Sequence, residues 1–287
     1  MTNFRCYFPA LLFGMLLFLP RAAQAAESYD NCAGFITSLP AVISGQGVWC
    51  VKQHLTTSIA AGNAITINAN NVTLDCNNFN LDGSGAGLAT QAVGIYANGR
   101  ANVVVRHCRV RGFYKGLAFL GTGGGHLIED NSFEGSTYNG LTVQTGSVVR
   151  RNRVLDTGKS TVTTAPIGIY ASQSTDVLDN TVSGVTATAA SNSNAVGIFT
   201  SGDIDNSIAG NRVRAIAKDG TGNAYAIQNV SSGRVILRNN DLTGDSSTGS
   251  VGLACSSGSG SARGNVIHDF ATPISTCADA GGNFHIP

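Results

Sequence analysis

A short pattern recurs through most of the chain. The segments VRHCRVRG (105–112), IEDNSFEG (128–135), VRRNRVLD (149–156), VLDNTVSG (177–184), IAGNRVRA (208–215), LRNNDLTG (237–244) and ARGNVIHD (262–269) align as apolar-x-x-Asn-x-apolar-x-Gly, with departures at single positions. The Asn column reads Asn131, Asn152, Asn180, Asn211, Asn240 and Asn265, with Cys108 in the first slot. LDCNNFNL (74–81) reads as an earlier copy with Asn77. A second motif alternates with the first: Gly94-Ile95-Tyr96, Gly116-Leu117-Ala118, Gly140-Leu141-Thr142, Gly168-Ile169-Tyr170, Gly197-Ile198-Phe199, Ala226-Ile227-Gln228 and Gly252-Leu253-Ala254. The period drifts between about 21 and 31 residues over about eight periods. Self-similarity at such a period, with spacers of variable length, marks a solenoid whose repeats bury their apolar faces against their neighbours.

Leucine-rich repeats also carry an Asn in an apolar frame. They need L-x-x-L-x-L before it and a helix or 3₁₀ turn after it. Here Leu is sparse, and the second half of each period reads as another strand. The wider composition agrees: Gly, Asn, Ser, Thr, Val and Ile are abundant and Lys and Glu are few, which favours strands and turns over helices.

With ITINANNVTLDCNNFNLDG (65–83) and the Gly-Ile-Tyr coils, the sequence resembles the right-handed parallel β-helix superfamily, the pectate-lyase-like architecture. The resemblance spans about residues 55–275 and implies an all-β solenoid of about eight coils with an Asn ladder and terminal caps. It implies three short strands per coil, stacked about 4.8 Å apart in parallel sheets. Alternation then puts Val103, Val105 and Val110 inward, and Arg106, Arg109 and Arg111 outward. Stacked Asn side chains at a turn would satisfy one another and the backbone groups buried there. Residues 26–54 are expected as an N-terminal cap and 276–287 as a C-terminal cap, with the β-helix at 55–275 between them.

Residues 1–25 read as a secretory signal peptide. Arg5 precedes an apolar run from Leu11 to Leu19, and Ala23-Gln24-Ala25 closes the segment, so cleavage is expected before Ala26. The run is too short to span a bilayer, and no later segment is long and apolar enough. A secreted or periplasmic protein is expected. Six cysteines follow the leader: Cys32, Cys50, Cys76, Cys108, Cys255 and Cys277. An even count behind a signal peptide predicts disulfides, and proximity favours 32–50, 76–108 and 255–277 among the fifteen pairings. No C-x-x-C pair supports zinc. Without Arg5 and Arg21 the 18 basic side chains fall to 16, against 17 acidic ones. So balanced a chain is not expected to bind nucleic acid. A monomer is expected.

The segment VVVRHCRVRGFYKG (103–116) is dense in positive charge. Stacking turns this run into columns: Arg106 over Glu129 over Arg150, His107 near Asp130 then Arg151, and Arg111 beside Glu134. Opposite charges on neighbouring strands are favourable, so most of it reads as a solvated ion-pair ladder. One column, Arg109, Ser132, Arg153, Thr181, Arg212, carries three cations and no acid.

The resemblance places a substrate groove along one sheet, walled by variable loops. It assigns the Gly-Ile-Tyr strands to that sheet. The loops preceding them are 113–115, 135–139, 156–167, 184–196, 215–225 and 244–251. Such loops are where binding residues sit on a rigid scaffold. The outward column reads Tyr96, Ala118, Thr142, Tyr170, Phe199, Gln228 and Ala254, and the loops add Tyr114, Lys115, Tyr138, Lys159, Lys218, Asp219 and Tyr225. Aromatics with amides suit a polysaccharide, and the lysines suit an acidic one. The expected contacts are Tyr96, Tyr114, Tyr138, Thr142, Phe199, Tyr225 and Gln228; the competing expectation is that these rings pack under the folded-back loops.

The catalytic patterns of the superfamily are missing. The groove column has no carboxylate to hold the calcium of a pectate lyase. No Asp-Asp pair of a polygalacturonase lies in a groove strand, and no Asp-Pro-His-Asp of an alginate epimerase occurs. No cofactor is expected, and no calcium or other metal site is identified. The chemistry left open is metal-free β-elimination, with Lys115, Lys159 or Lys218 as base and Tyr170 as acid. Two alternatives stand beside it: a noncatalytic polysaccharide-binding or cell-envelope protein, and an adhesin-like structural solenoid.

Overall fold

The computed structural model describes residues 29, 31–202, 205–256 and 259–287 of the 287-residue chain. The expected leader lies outside the described residues. The chain winds into three parallel sheets of ten, eleven and ten strands. One coil is Val93–Asn98, Val103–Arg106 and Arg109–Arg111, each strand entering a different sheet. The groove sheet runs from Ala41–Ile43 to Thr272–Ser275, the second sheet from Gly34–Ile36 to Ala278–Asp279, and the third from Leu55–Thr56 to Phe284–Ile286. This makes about nine turns where the repeats suggest eight. The difference lies at the ends, where the motif is weak but the pairing continues. Gly34–Ile36 pairs with Gly47–Val51, and Phe284–Ile286 with Val266–His268, so strands run past both expected cap boundaries.

Strand alternation builds the core. Val103 and Val105 are fully buried and Val110 nearly so, while Arg109 and Arg111 are exposed. The glycine of the Gly-Ile-Tyr motif has a steric cause. A Cβ on Gly140 would lie 2.5 Å from the carbonyl oxygen of Gly168 and 2.3 Å from a Val154 methyl. Close approach of neighbouring coils therefore excludes a side chain there.

The Asn column forms a continuous ladder. Each Nδ2 donates to the Oδ1 one coil on, from Asn131 through Asn152, Asn180, Asn211, Asn240 and Asn265 to Asn283, at 2.8–3.0 Å. Each Oδ1 also accepts the backbone N–H of the previous member, as Asn180 does from Asn152 at 2.9 Å. Each Nδ2 reaches back to a carbonyl, as Asn180 does to Val149 at 2.9 Å. The residue before each rung takes a left-handed conformation: His107, Asp130, Arg151, Asp179, Gly210, Asn239 and Gly264. At the other end the ladder starts on Cys108, whose N–H donates to Asn131 Oδ1 at 2.9 Å. Cys108 is bonded to Cys76, and Cys32–Cys50 and Cys255–Cys277 complete the pairing expected from proximity. Asn77 sits outside the ladder, in a left-handed turn, with its amide on the Val51 carbonyl at 3.2 Å.

Replacing Asn180 by Ala strands several buried donors and acceptors, each costing about 1–3 kcal/mol. Asn180→Ala should therefore lose several kcal/mol in denaturant unfolding, and Asn283→Ala, at the partly exposed end of the ladder, much less.

His126 gives a second expectation. It is 4% exposed, its ring lies 4.9 Å from that of Phe119, and its Nδ1 accepts the Val103 N–H at 3.3 Å. Burial pushes its imidazole from the ordinary 6.5 down to about 4. The unfolded chain thus binds this proton at a higher pH than the folded one, so His126 costs stability as pH falls from 6.5 towards 4. Melting measured across that window should show the decline, and His126→Asn, whose amide oxygen can accept the same bond, should lessen it.

Candidate functional site

Parallel pairing sets the groove column in the register expected. Tyr96 faces Ala118, Ala118 faces Thr142, Thr142 faces Tyr170, Tyr170 faces Phe199, Phe199 faces Gln228, and Gln228 faces Ala254. Within it the Tyr170 and Phe199 rings stack, with centroids 5.2 Å apart and planes at 29°. The Tyr170 hydroxyl shares a hydrogen bond of 2.8 Å with that of Ser201. Tyr96 stands apart, separated from Tyr170 by the buried Ala118 and Thr142. Gln228 is half-buried beyond Phe199.

A second column runs beside the first: Val93, Lys115, Asn139, Ile167, Val196, Tyr225 and Val251. Its register skips the close-packed glycines, so Lys115 pairs with Asn139 and Leu117 with Leu141. Lys115 is half-buried, and burial lowers its ammonium below the ordinary lysine value. No carboxylate lies within ion-pair reach of it among the described residues. Its Nζ stands 5.7 Å from the centre of the Tyr138 ring, and Tyr138 stacks on Tyr114 at 4.9 Å. Burial, helped by the neighbouring Tyr114 and Tyr170 groups, raises the Tyr138 hydroxyl above its usual range. Asn139, 3% exposed, donates its amide to Thr142 Oγ1 at 3.1 Å, and its Oδ1 has no hydrogen-bond partner. Lys115, Tyr114, Tyr138, Tyr170 and Asn139 thus converge at one place on the groove sheet.

The long loops form a wall by stacking on one another. Strands Thr181–Thr186 and Arg212–Ala217 are longer than the sequence suggests, so these two loops start later, near 187 and 218. Asp219 accepts the N–H groups of Ser191 and Asn192 at 2.7 and 2.8 Å, and those backbone bonds hold its carboxyl below the usual range. Ser193 donates to Thr164 Oγ1 at 2.7 Å, and Thr188 Oγ1 donates to the Ser160 carbonyl at 2.8 Å. Thr163 ties the wall to the floor through the Tyr114 hydroxyl at 2.6 Å.

Lys218 is held within its own loop by the Gly220 carbonyl, and Lys159 is exposed on a left-handed turn. Neither is grouped with Lys115. Asn139 escapes sequence reading because Asn139-Gly140 looks like a turn; only its register beside Lys115 reveals it. Among the described residues, no group of three or more His, Cys, Asp or Glu side chains is placed to hold a metal ion, and no helix is long and apolar enough to cross a membrane.

Comparison with known proteins agrees with this architecture. Residues 93–269 match the family described as the right handed beta helix region, and the chain belongs to that family. No curated protein matches the sequence. Among solved structures, the Dettilon tailspike protein gp208 is similar with a TM-score of 0.56 at 16% identity, covering 87% of this chain and 56% of that one. The chain therefore spans little more than half the length of that tailspike, and the likeness is one of fold. The A-module of mannuronan C-5 epimerase AlgE4 from Azotobacter vinelandii aligns at a TM-score of 0.47 and 12% identity, covering 86% and 91%. The tailspike gp49 of Acinetobacter baumannii bacteriophage Fri1, a capsular polysaccharide depolymerase, aligns at 0.43 and 11%, covering 80% and 42%.

The lowered ammonium of Lys115 can be observed directly. In a lysine ¹³Cε NMR titration, the signal missing from Lys115→Arg should titrate below the ordinary lysine value. A midpoint at or above that value would remove Lys115 as a neutral base.

Proposed function

We propose that the groove sheet binds an acidic polysaccharide and cleaves it by β-elimination, with Lys115 as the base. The observation that carries this reading is a half-buried lysine with no carboxylate partner among the described residues, set against a stacked tyrosine pair. A low dielectric favours its neutral amine, which is the form able to take a proton. The amine would remove the proton alpha to a uronate carboxyl. The freed electron pair forms the ring double bond as the C4–oxygen bond breaks. The leaving oxygen takes its proton from a tyrosine hydroxyl, from Tyr138 beside Lys115 or from Tyr170 two coils on from Lys115. A raised hydroxyl stays protonated at neutral pH, which suits a donor. The ammonium formed on Lys115 lies where it offsets charge building on the carboxylate. Tyr170 and Phe199 would stack on a sugar ring.

The other expected contacts, Tyr96, Tyr114, Thr142, Tyr225 and Gln228, belong to this binding proposal. A secreted or periplasmic setting and a monomer are proposed with it; the three disulfides fit an oxidising compartment. A second reading is noncatalytic binding on the same strip, favoured by the Tyr170–Phe199 stack.

Incubation with pectate, alginate, hyaluronan, chondroitin and heparin, followed by ultraviolet absorbance of the unsaturated uronate, separates the two. The expected result is a rise on one polymer, lost in Lys115→Ala and kept in Lys159→Ala and Lys218→Ala. The rate should climb with pH through the lowered Lys115 titration. Binding without any rise, weakened by Tyr170→Ala, would support the second reading. Neither binding nor a rise would overturn both.

A further inference from the structure

The basic residues are sorted by type. All four lysines lie at the N-terminal end or along the groove side: Lys52, Lys115, Lys159 and Lys218. Ten of the arginines instead flank the Asn turn, on the edge of the second sheet and the face of the third: Arg106, Arg150, Arg151, Arg238 and Arg263 before or at the turn, and Arg109, Arg111, Arg153, Arg212 and Arg214 after it. Five of these are spent in ion pairs. Arg106 pairs with Asp75 at 2.7 Å, Arg150 and Arg151 with Glu129 at 2.8 and 2.7 Å, Arg111 with Asp82 at 3.6 Å, and Arg212 with Asp241 at 3.4 Å. The column read from sequence as free of acids therefore meets one at its next position, Asp241.

Arg109, Arg153, Arg214, Arg238 and Arg263 make no side-chain hydrogen bond or ion pair among the described residues, and all five are exposed. Arg109 and Arg153 are separated by one strand bearing Ser132, so their backbones stand about 9.6 Å apart, two strand spacings. Between them is a depression of about 290 Å³ lined by Asn80, Arg109, Arg111, Ser132, Glu134 and Arg153. From Arg109 to Arg263 the stripe advances six coils, about 29 Å along the axis at the usual strand spacing. The Asn ladder beside it fixes the turn backbone from which these side chains project.

We propose that this face is a second binding site, separate from the groove, for a linear polysaccharide carrying sulfate or phosphate groups. Guanidinium groups bind such tetrahedral oxyanions through paired N–H donors, a geometry lysine lacks. Arg109, Arg153 and Arg214 recur every second coil on the third sheet, and Arg238 and Arg263 follow on adjacent coils across the turn, so charge repeated along the axis suits an extended polymer better than a single ion. Glu134 and Asp82 beside the depression limit the site to groups that sit on the arginines themselves. The chain is close to neutral overall, so binding has to come from this local stripe.

The test is binding of the whole protein to heparin, to a phosphorylated mannan and to hyaluronan, which carries carboxylates alone, with duplex DNA as a further arm. The expected result is salt-sensitive binding of heparin, the mannan or both, and at least tenfold weaker binding of hyaluronan and of DNA. Whichever of the first two binds identifies the anion. The variant Arg109→Gln/Arg153→Gln/Arg214→Gln should lose at least tenfold in affinity with its melting temperature unchanged, while Arg234→Gln, on another edge, should bind as the parent does. Undiminished binding by the triple variant would overturn the proposal, as would loss of binding in Tyr170→Ala, which would move the contact to the groove. Equal or tighter binding of DNA would overturn the choice of ligand class. Because the readout is binding and not unsaturated product, failure here is distinguishable from failure of the elimination reaction.

Discussion

Each ladder asparagine bonds both the rung ahead of it and the coil behind it. Asn180, fully inside the solenoid, serves Asn152, Asn211 and the Val149 carbonyl at once. Backbone groups at a sharp turn cannot all reach a neighbouring strand, and a buried one left unpaired is costly. The side-chain amide supplies one donor and one acceptor in the direction of stacking, so the turn repeats with the same shape from coil to coil. The left-handed residue before each rung is the conformational cost of that turn, spread over Asp130, Arg151, Asp179 and their equivalents. Everything outward follows from this constancy, since a fixed turn keeps the strands before and after it in register.

Register converts sequence into two chemically different faces. On the groove side, close-packed glycines bring neighbouring coils together, and the residues on either side of them form two parallel columns. Lys115 sits in one column and Tyr170 in the other, and the stacked Tyr114 and Tyr138 close the gap between them. The charge there is sparse and half-buried. Around the Asn turn it is dense and exposed. Most paired arginines in that region bond carboxylates on the preceding coil, as Arg106 does with Asp75 and Arg150 with Glu129, while Arg212 bonds Asp241 on the next. In the Arg106–Asp75 and Arg150–Glu129 pairs the guanidinium stays partly exposed while the carboxylate is largely buried. Their main effect is to single out the arginines that remain unpaired.

The loops show how a repeat absorbs insertions. Their lengths vary, yet they stack coil by coil as the strands do, through Asp219 on the Ser191–Asn192 backbone and Ser193 on Thr164. Asp219 is taken up in that stacking, and Lys218 is held within its own loop by the Gly220 carbonyl. Thr163 reaches the floor and holds the Tyr114 hydroxyl, so the wall and the aromatic pair are one connected unit.

Much of this was legible in the linear chain. The solenoid, the Asn column and the order of the groove column follow from a short repeat, because in parallel stacking residues one period apart must become neighbours, and the three disulfides follow from cysteine count and proximity. The coil count was not fully legible, since the end coils pair without the motif. The site was legible only in its members. Which lysine is half-buried depends on how the wall folds back, and the sequence weighed Lys115, Lys159 and Lys218 alike. Asn139 was invisible, because its role rests on a register that skips a glycine and on an oxygen left without a partner. Ion-pair partners also needed the tertiary structure. Arg106 and Glu129 are neighbours in register, but each long side chain can reach either adjacent coil, and Arg106 settles on Asp75. Backbone periodicity fixed the columns; burial and side-chain reach, which no single strand encodes, decided what each column does.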